Sequence, residues 1–365
     1  MFSNEMMQPQ KKEILFLVQY PEDVSPAQRF RFELYKDLLR NNGFSVTTEP
    51  FIDEYGYSFI FKSGLFLRKS FTVLKGFFRR IKVLFNVKKY TYILLQYGVT
   101  PLGPPIFEWL LIKVFKKKII YDFDGAIWIP QTSEKNRIPQ VLRNANKTPL
   151  ICKWSYKVSC GNEYLCNYAR NYNNNVVYNP TCVDTEKTHN IFANHHVGKV
   201  TIGWTGSFST LKYLNILEPV LNRLQEKYNF DFKVICNQQP SLNLRNIKYI
   251  EWTPENEVKE LATCQIGLMP LTNDEWSEGK CGFKLIQYLA LEIPAVSSCV
   301  GVNKRIIENG LNGFLCEVDE EWYVALEKLI LDVDLRKKMG KAGRKKVVEQ
   351  YSLLSNQDNF LSLFR

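Results

Sequence analysis

Residues able to handle a charged ligand concentrate in two short segments of the second half of this 365-residue chain. Residues 265–298 read QIGLMPLTNDEWSEGKCGFKLIQYLALEIPAVSS. An apolar run ends at Pro270, a polar loop follows, and Gly279-Lys280-Cys281-Gly282-Phe283-Lys284 enters a helical pattern that stops before Pro294. Two glycines and two lysines at a loop-to-helix junction suit a diphosphate: the turn offers N–H groups, the helix its positive end, and the lysines one or two cations. Gln287, in the first turns of that helix, is placed to reach a ribose hydroxyl. The pattern is not GxxxxGK[ST], so ATP hydrolysis is not indicated. Residues 202–212, IGWTGSFSTLK, repeat the logic: a strand runs into Gly206-Ser207, a helix begins near Thr210, and Lys212 adds a charge. The plainer readings are solvated lysines on a glycine-containing loop and a Ser/Thr-capped turn.

The first half carries a different set. Asp122 and Asp124 stand at the carboxyl end of a strand, where they could position an acceptor or cap the strand–loop junction. Arg29 and Arg31, near the loop after the first strand, could meet an acceptor phosphate or lie on a solvated helix face. His189, His195 and His196 read as surface residues in or beside a linker. Residues 61–90 hold nine of the cations behind the net charge of +11 and no acid, interleaved with Phe61, Phe66, Phe71, Phe77, Phe78, Phe85 and Tyr90. A basic helix with an aromatic face suits an anionic membrane surface. The alternative is an amphipathic helix whose apolar side lies in the core. No nucleic-acid module is seen.

These residues need a scaffold, and the pattern supplies two. Apolar runs at 13–19, 45–49, 91–97 and 118–123 alternate with helical patterns at 26–42, 61–88 and 105–116, and 151–160 and 175–179 read as the last strands of this half. Residues 179–188, NPTCVDTEKT, lack either period. Alternation restarts with strands 199–204, 231–236, 247–251, 265–269, 294–298 and 313–316 and helices 211–228, 255–263, 282–291, 303–308 and 320–330, before a charged helical tail. Strand–helix alternation predicts parallel sheets covered on both faces. The expectation is α/β: two doubly wound Rossmann-like domains facing across a cleft, with a first domain at 1–182, a linker at 183–198, a second domain at 199–345, and a tail at 346–365 packing back on the first. Ligands of such sheets bind at the strands' carboxyl ends.

Composition narrows the class. A 45% hydrophobic and 23% charged content is that of a globular protein. Nine cysteines form no CxxC pair, so no metal site or disulfide framework is expected and a reducing cytoplasm fits. No signal peptide and no spanning helix is expected either.

Segment 265–298 resembles the donor-site signature of glycosyltransferase family 4, in the branch with a GKCGFKxLQYMA-type motif. GNEYLCNYARNYNNNVVYNPTCVD (161–184), IGWTGSFSTLKYL (202–214), YDFDGAIW (121–128) and PAQRFRFELY (26–35) are similar to further stretches of that branch, so the resemblance spans nearly the whole chain. It implies a GT-B fold, a nucleotide-diphosphate sugar donor, retention of anomeric configuration and no essential metal or cofactor. By position it implies that Gly206 and Ser207 lie by the donor phosphates. Lys280 with the backbone of Cys281, Gly282 and Phe283 holds the diphosphate and sugar, Gln287 meets the ribose, and Asn237, Glu251 and Trp252 flank the base. The chain departs from the family pattern where two glutamates seven residues apart become Gly279 and Gln287, where a paired aspartate becomes Gly125, and where a glycine becomes Glu292. The reading is a cytoplasmic glycosyltransferase, peripheral at the inner face of the cell membrane, that extends a glycan or lipid-linked acceptor. A nucleotide-sugar epimerase of the same fold and an inactive membrane-surface adaptor are the alternatives.

Overall fold

The computed structural model describes residues 12–62, 64–129 and 146–365; residues 1–11, which carry most of the reading of the N-terminus, lie outside them. The chain divides into two compact units, Met1–Asn179 with Gln357–Arg365, and Pro180–Asn356. The division falls just before the expected linker. Residues 183–198 belong to the second unit, held there by Arg344, which donates to the carbonyls of Thr185 (2.8 Å) and His189 (2.6 Å).

Each unit is built on a six-stranded sheet whose paired strands are all parallel. In the first, β1 (Lys12–Val18), β2 (Phe44–Pro50), β3 (Tyr92–Gln96), β4 (Lys118–Phe123), β5 (Lys157–Cys160) and β6 (Val176–Tyr178) lie in the order β2-β1-β3-β4-β5-β6. In the second, β7 (Thr201–Gly206), β8 (Asp231–Cys236), β9 (Ile247–Glu251), β10 (Ile266–Met269), β11 (Ala295–Ser298) and β12 (Gly313–Cys316) lie in the order β12-β11-β10-β7-β8-β9. The central strands are rich in apolar residues because both faces are covered; every residue of β3 and β8 is buried, Asp231 and Lys233 included. In each sheet the winding reverses once, between β1 and β3 and between β7 and β10. A reversal leaves a crevice at the carboxyl ends of the two flanking strands, the natural ligand position. The two-domain doubly wound class is as expected.

Several elements differ from the sequence expectation, each for a local reason. Residues 151–160 are not one strand: a helix spans Lys147–Trp154 and β5 begins at Lys157. Its Pro149 falls in the first turn, where no N–H is missed. The expected helix at 26–42 is three pieces, Pro26–Arg29, a 3₁₀ turn Glu33–Tyr35, and Lys36–Asn41. Phe30, Arg31 and Phe32 are all buried, and three consecutive side chains cannot share one helical face. The pattern at 211–228 is a 3₁₀ segment Phe208–Leu217 followed by a helix Glu218–Lys227 with Pro219 in its first turn. Helix Glu163–Arg170, capped by the Asn162 side chain on the Leu165 N–H at 2.8 Å, was hidden in a polar stretch. His189 and His195 are buried, contrary to the surface reading, and only His196 is exposed. Of the tail expected at 346–365, only Gln357–Arg365 join the first unit, where Phe360 stacks on Tyr35 with ring centroids 4.0 Å apart; residues 346–356 belong to the second unit.

Candidate donor site in the second unit

The reversal between β7 and β10 is where both glycine-containing segments end up. β7 finishes at Gly206, in register with Cys236 of β8, itself in register with Glu251 of β9. Gly206, Asn237 and the Glu251-Trp252 pair therefore line one carboxyl edge. Asn237 is tied to the turn after β7, its side-chain oxygen accepting from the Phe208 N–H at 2.9 Å. Ser207 and Ser209 hydroxyls meet at 2.9 Å. The segment after the turn is 3₁₀ and not the expected α-helix, so its dipole is a weaker anion attractor. Lys212 is exposed on it, its ammonium 5.1 Å from the Tyr213 ring centroid.

On the other side of the reversal, β10 leads through Leu271, whose N–H donates to Ser298 Oγ at 2.8 Å, into a one-turn helix Glu275–Glu278 capped by Asp274. Gly279, Lys280, Cys281 and Gly282 then turn the chain into helix Phe283–Ala290. Gly282 has φ +69°, and a Cβ there would stand 2.1 Å from Ile306 Cδ1. Both the backbone and the neighbour demand glycine, so Gly282→Ala is expected to cost about 2 kcal/mol, read as a lowered urea midpoint. Pairing it with Ile306→Ala restores less than the strain and overpacking together, because the left-handed backbone persists.

Trp204 joins the two halves of the site. Its fully buried indole lies against Gly206, where a Cβ would come within 2.5 Å of the ring. The Lys284 ammonium sits over that same ring, 4.4 Å from its centroid. Lys280 lies next in line, 4.8 Å above Trp276. Burial, with the Lys280 charge beside it, lowers the Lys284 pKa to about 7. Lys280 and Lys284 thus stand near each other at the mouth of the sheet reversal. Neither tryptophan stood out in the sequence; for Trp204 the signal was an aromatic two residues before the glycine of the strand end.

Gln287 is closed to solvent, which differs from the expectation of a residue open at a ligand's edge. Both of its amide atoms lack a hydrogen-bond partner, as do Trp204 Nε1, Ser277 Oγ, Ser297 Oγ and Asn303 Oδ1 on the surrounding elements. An unmet buried polar group costs about 1–3 kcal/mol, so such groups mark places where water or a ligand completes the bonding. Glu292 closes the helix at φ +60°, in the place where the resemblance expects glycine.

The first unit's candidates separate. Asp122, at the end of β4, and Arg31 form a fully buried bidentate ion pair: Nη2 donates to Oδ1 at 2.5 Å and Nε to Oδ2 at 3.2 Å. Ser159 donates to the same carboxylate at 2.6 Å, and Arg31 also donates to the Asn179 carbonyl. The pair bolts the loop after β1 to β4, β5 and the end of β6. This corrects the expectation that Arg31 meets an acceptor phosphate and that Asp122 positions an acceptor, since their polar atoms are spent on each other. Asp124 is half-buried and accepts from the Tyr97 hydroxyl. Arg29 is half-buried, its guanidinium 4.8 Å from the Phe30 ring centroid. Among the described residues no cluster of three His, Cys, Asp or Glu could hold a metal. All nine cysteines are free.

Residues 199–332 match the family model for glycosyl transferases group 1. The match covers less than half of the chain, and the two doubly wound units have the fold of GT-B glycosyltransferases. The chain is similar over 72 residues, at 33% identity, to N-acetyl-alpha-D-glucosaminyl L-malate synthase of Bacillus anthracis, covering 19% of each protein. Among solved structures, sucrose-phosphate synthase of Thermosynechococcus elongatus superposes with a TM-score of 0.69 at 13% identity, covering 97% of this chain and 98% of the other. A glycosyltransferase of Rickettsia africae gives 0.65 at 13% identity with the same coverage. HepE of Anabaena, in complex with UDP and glucose, gives 0.62 at 12% identity, covering 97% and 99%. The GT-B neighbours share the fold; the group 1 model covers the unit that carries Gly206, Lys280 and Lys284.

Proposed function

We propose that the protein transfers a sugar from a nucleotide-diphosphate donor to a glycan or lipid-linked acceptor, with retention and without an essential metal. The observation that carries this reading is the Gly206–Trp204–Lys284–Lys280 line at the reversal of the second sheet. Its geometry fits a diphosphate: backbone N–H groups after β7, two cations, and the start of helix Phe283–Ala290. The neighbour with bound UDP and glucose points the same way. Asn237 and Glu251-Trp252 flank the base, Ser207 and Lys212 border the phosphates, and the Gly279–Phe283 backbone faces the sugar. Gln287 meets the ribose once the ligand opens its surroundings.

In the reaction the leaving diphosphate gathers charge as the glycosidic bond to it breaks. Fixed donors and cations aimed at that charge give the strongest stabilisation a protein can supply. A phosphate oxygen of the departing group takes the acceptor's proton on the same face, so no carboxylate pair of hydrolase type is required. Asp124 and Arg29 are the first unit's remaining candidates for acceptor contact. The test is product formation: incubation with a panel of labelled nucleotide sugars in chelator is expected to release the nucleoside diphosphate from one of them. No release from any would remove the reading.

Lys284 gives a pH signature. With its pKa lowered to about 7 it is mostly neutral above that pH in the free protein. Binding a diphosphate favours the charged form, so binding takes up a proton. Affinity is expected to fall by up to about tenfold per unit as pH rises above 7. Calorimetric titration at pH 8 in two buffers of different ionisation enthalpy measures the uptake; identical heats would contradict it.

A further inference from the structure

The basic helix Phe66–Asn86 docks on the first unit by an unusually narrow stripe. Thr72, Gly76, Arg80 and Val83 are its buried residues. Gly76 lets the backbone lie against Phe51, where a Cβ would come within 2.6 Å of the ring. Arg80 runs inward and donates to the carbonyls of Val18 (2.6 Å), Glu49 (2.8 Å) and Val99 (2.8 Å), at or just beyond the ends of β1, β2 and β3. Its orientation is therefore fixed. At 100° per residue, the opposite side of the helix carries Leu67, Phe71, Leu74, Phe78, Ile81 and Phe85. All six are exposed, Leu67 by 82% and Phe85 by 81%. The apolar face thus points away from the protein, which overturns the reading of this helix as one that buries its apolar side.

The surroundings settle what fits this face. Arg68, Lys75 and Lys82, seven residues apart, form one exposed basic flank, and Lys62, Lys88 and Lys89 extend it at the two ends. No acid interrupts residues 61–90. A second copy of the helix would bring like charges together along that flank, since the stripe has no carboxylate to answer them. A planar anionic surface answers the whole row at once. A second element joins the patch: Phe107 packs against Phe77 with centroids 6.3 Å apart, and on the same short helix, Ile106–Trp109, Ile106 and Trp109 are exposed, followed by exposed Lys113. Tryptophan beside lysine is the arrangement favoured where acyl chains meet headgroups. Among the described residues no helix is long and apolar enough to cross a membrane.

We infer that helix Phe66–Asn86, together with Ile106 and Trp109, is a docking surface for an anionic lipid bilayer. The helix lies in the plane of the interface with Leu67 to Phe85 among the acyl chains and the Arg68–Lys75–Lys82 flank on the headgroups. Because Arg80 ties the helix to the carboxyl ends of β1 to β3, docking sets the first unit's sheet reversal at a fixed height above the lipid. This inference is independent of the catalytic reading, since vesicle binding is read without any nucleotide.

Sedimentation of the full chain with vesicles tests it. Binding is expected to phosphatidylcholine vesicles containing about one third phosphatidylglycerol and not to phosphatidylcholine alone, and to weaken at least tenfold between about 0.1 and about 0.5 M salt. Combined Leu67→Ser, Phe71→Ser, Phe78→Ser and Phe85→Ser is expected to abolish binding with the melting temperature unchanged, because these side chains touch little of the protein. Lys75→Glu with Lys82→Glu, leaving the apolar strip whole, is expected to weaken it more than tenfold. Wild-type protein that stays in the supernatant with both vesicles, or pellets equally with both, overturns the inference. So does a dimer by light scattering that the four serines dissolve in a protein that ignores vesicles.

Discussion

Arg31→Ala is expected to destabilise the protein by about 3–5 kcal/mol, the cost of leaving one partner of a buried ion pair alone. The pair is almost wholly closed to water, with side-chain exposures of 0% for Arg31 and 2% for Asp122. Removing the guanidinium strands the Asp122 carboxylate with only the Ser159 hydroxyl for support and leaves the Asn179 carbonyl short of a donor. Truncating Asp122 instead strands the cation and is expected to cost about as much. The double variant Arg31→Met with Asp122→Leu should recover most of the loss, because apolar isosteres need no partner. Urea denaturation of the three variants measures this. A single-variant cost under about 1 kcal/mol, with activity lost, would return both residues to the acceptor site and refute the structural role.

The second large effect belongs to Lys280. Lys280→Ala is expected to lower kcat by about 10²–10³, the range for removing one fixed charge-stabilising group from a transition state. The stability cost should be small by comparison. The ammonium lies over Trp276 at 4.8 Å, a half-exposed contact of about 0.5–1 kcal/mol. An activity loss several times larger than the folding loss, in energy, separates a role in the reaction from a role in the fold. Steady-state kinetics and melting of the same preparation decide it. Wild-type turnover in the alanine variant would remove Lys280 from the mechanism.

What was legible in the sequence follows from what each feature depends on. The twelve strands were mostly readable because a parallel strand covered on both faces is a short apolar run, as at 92–95 and 266–269. The turn at 279–282 was readable as a turn because two glycines stand just before the apolar helical run Phe283–Ala290. The failures share one cause, that a local pattern does not say which neighbour it meets. Arg31 looked like a helix-surface cation and became one half of a bolt to Asp122, 91 residues away. The helix at 66–86 has a strong amphipathic period, which told that it has an apolar side and not which way that side faces. The deciding residues were the inconspicuous ones, Gly76 and Arg80, which dock it by its narrow edge. Trp204 likewise drew no notice in the sequence, and the structure places Gly206 and Lys284 on its ring.

On the proposed function, the second unit holds a nucleoside diphosphate around Gly206, Lys280 and Lys284. Thermal melting of the full chain with a nucleoside diphosphate in excess chelator tests it most directly. At a concentration one hundred times its dissociation constant the ligand adds about 2.7 kcal/mol, a rise of several degrees for a unit of this size. That rise is expected for at least one of the common nucleoside diphosphates or their sugars, smaller in Lys280→Ala and shrinking above pH 7. An unchanged melting curve across the whole panel would contradict it.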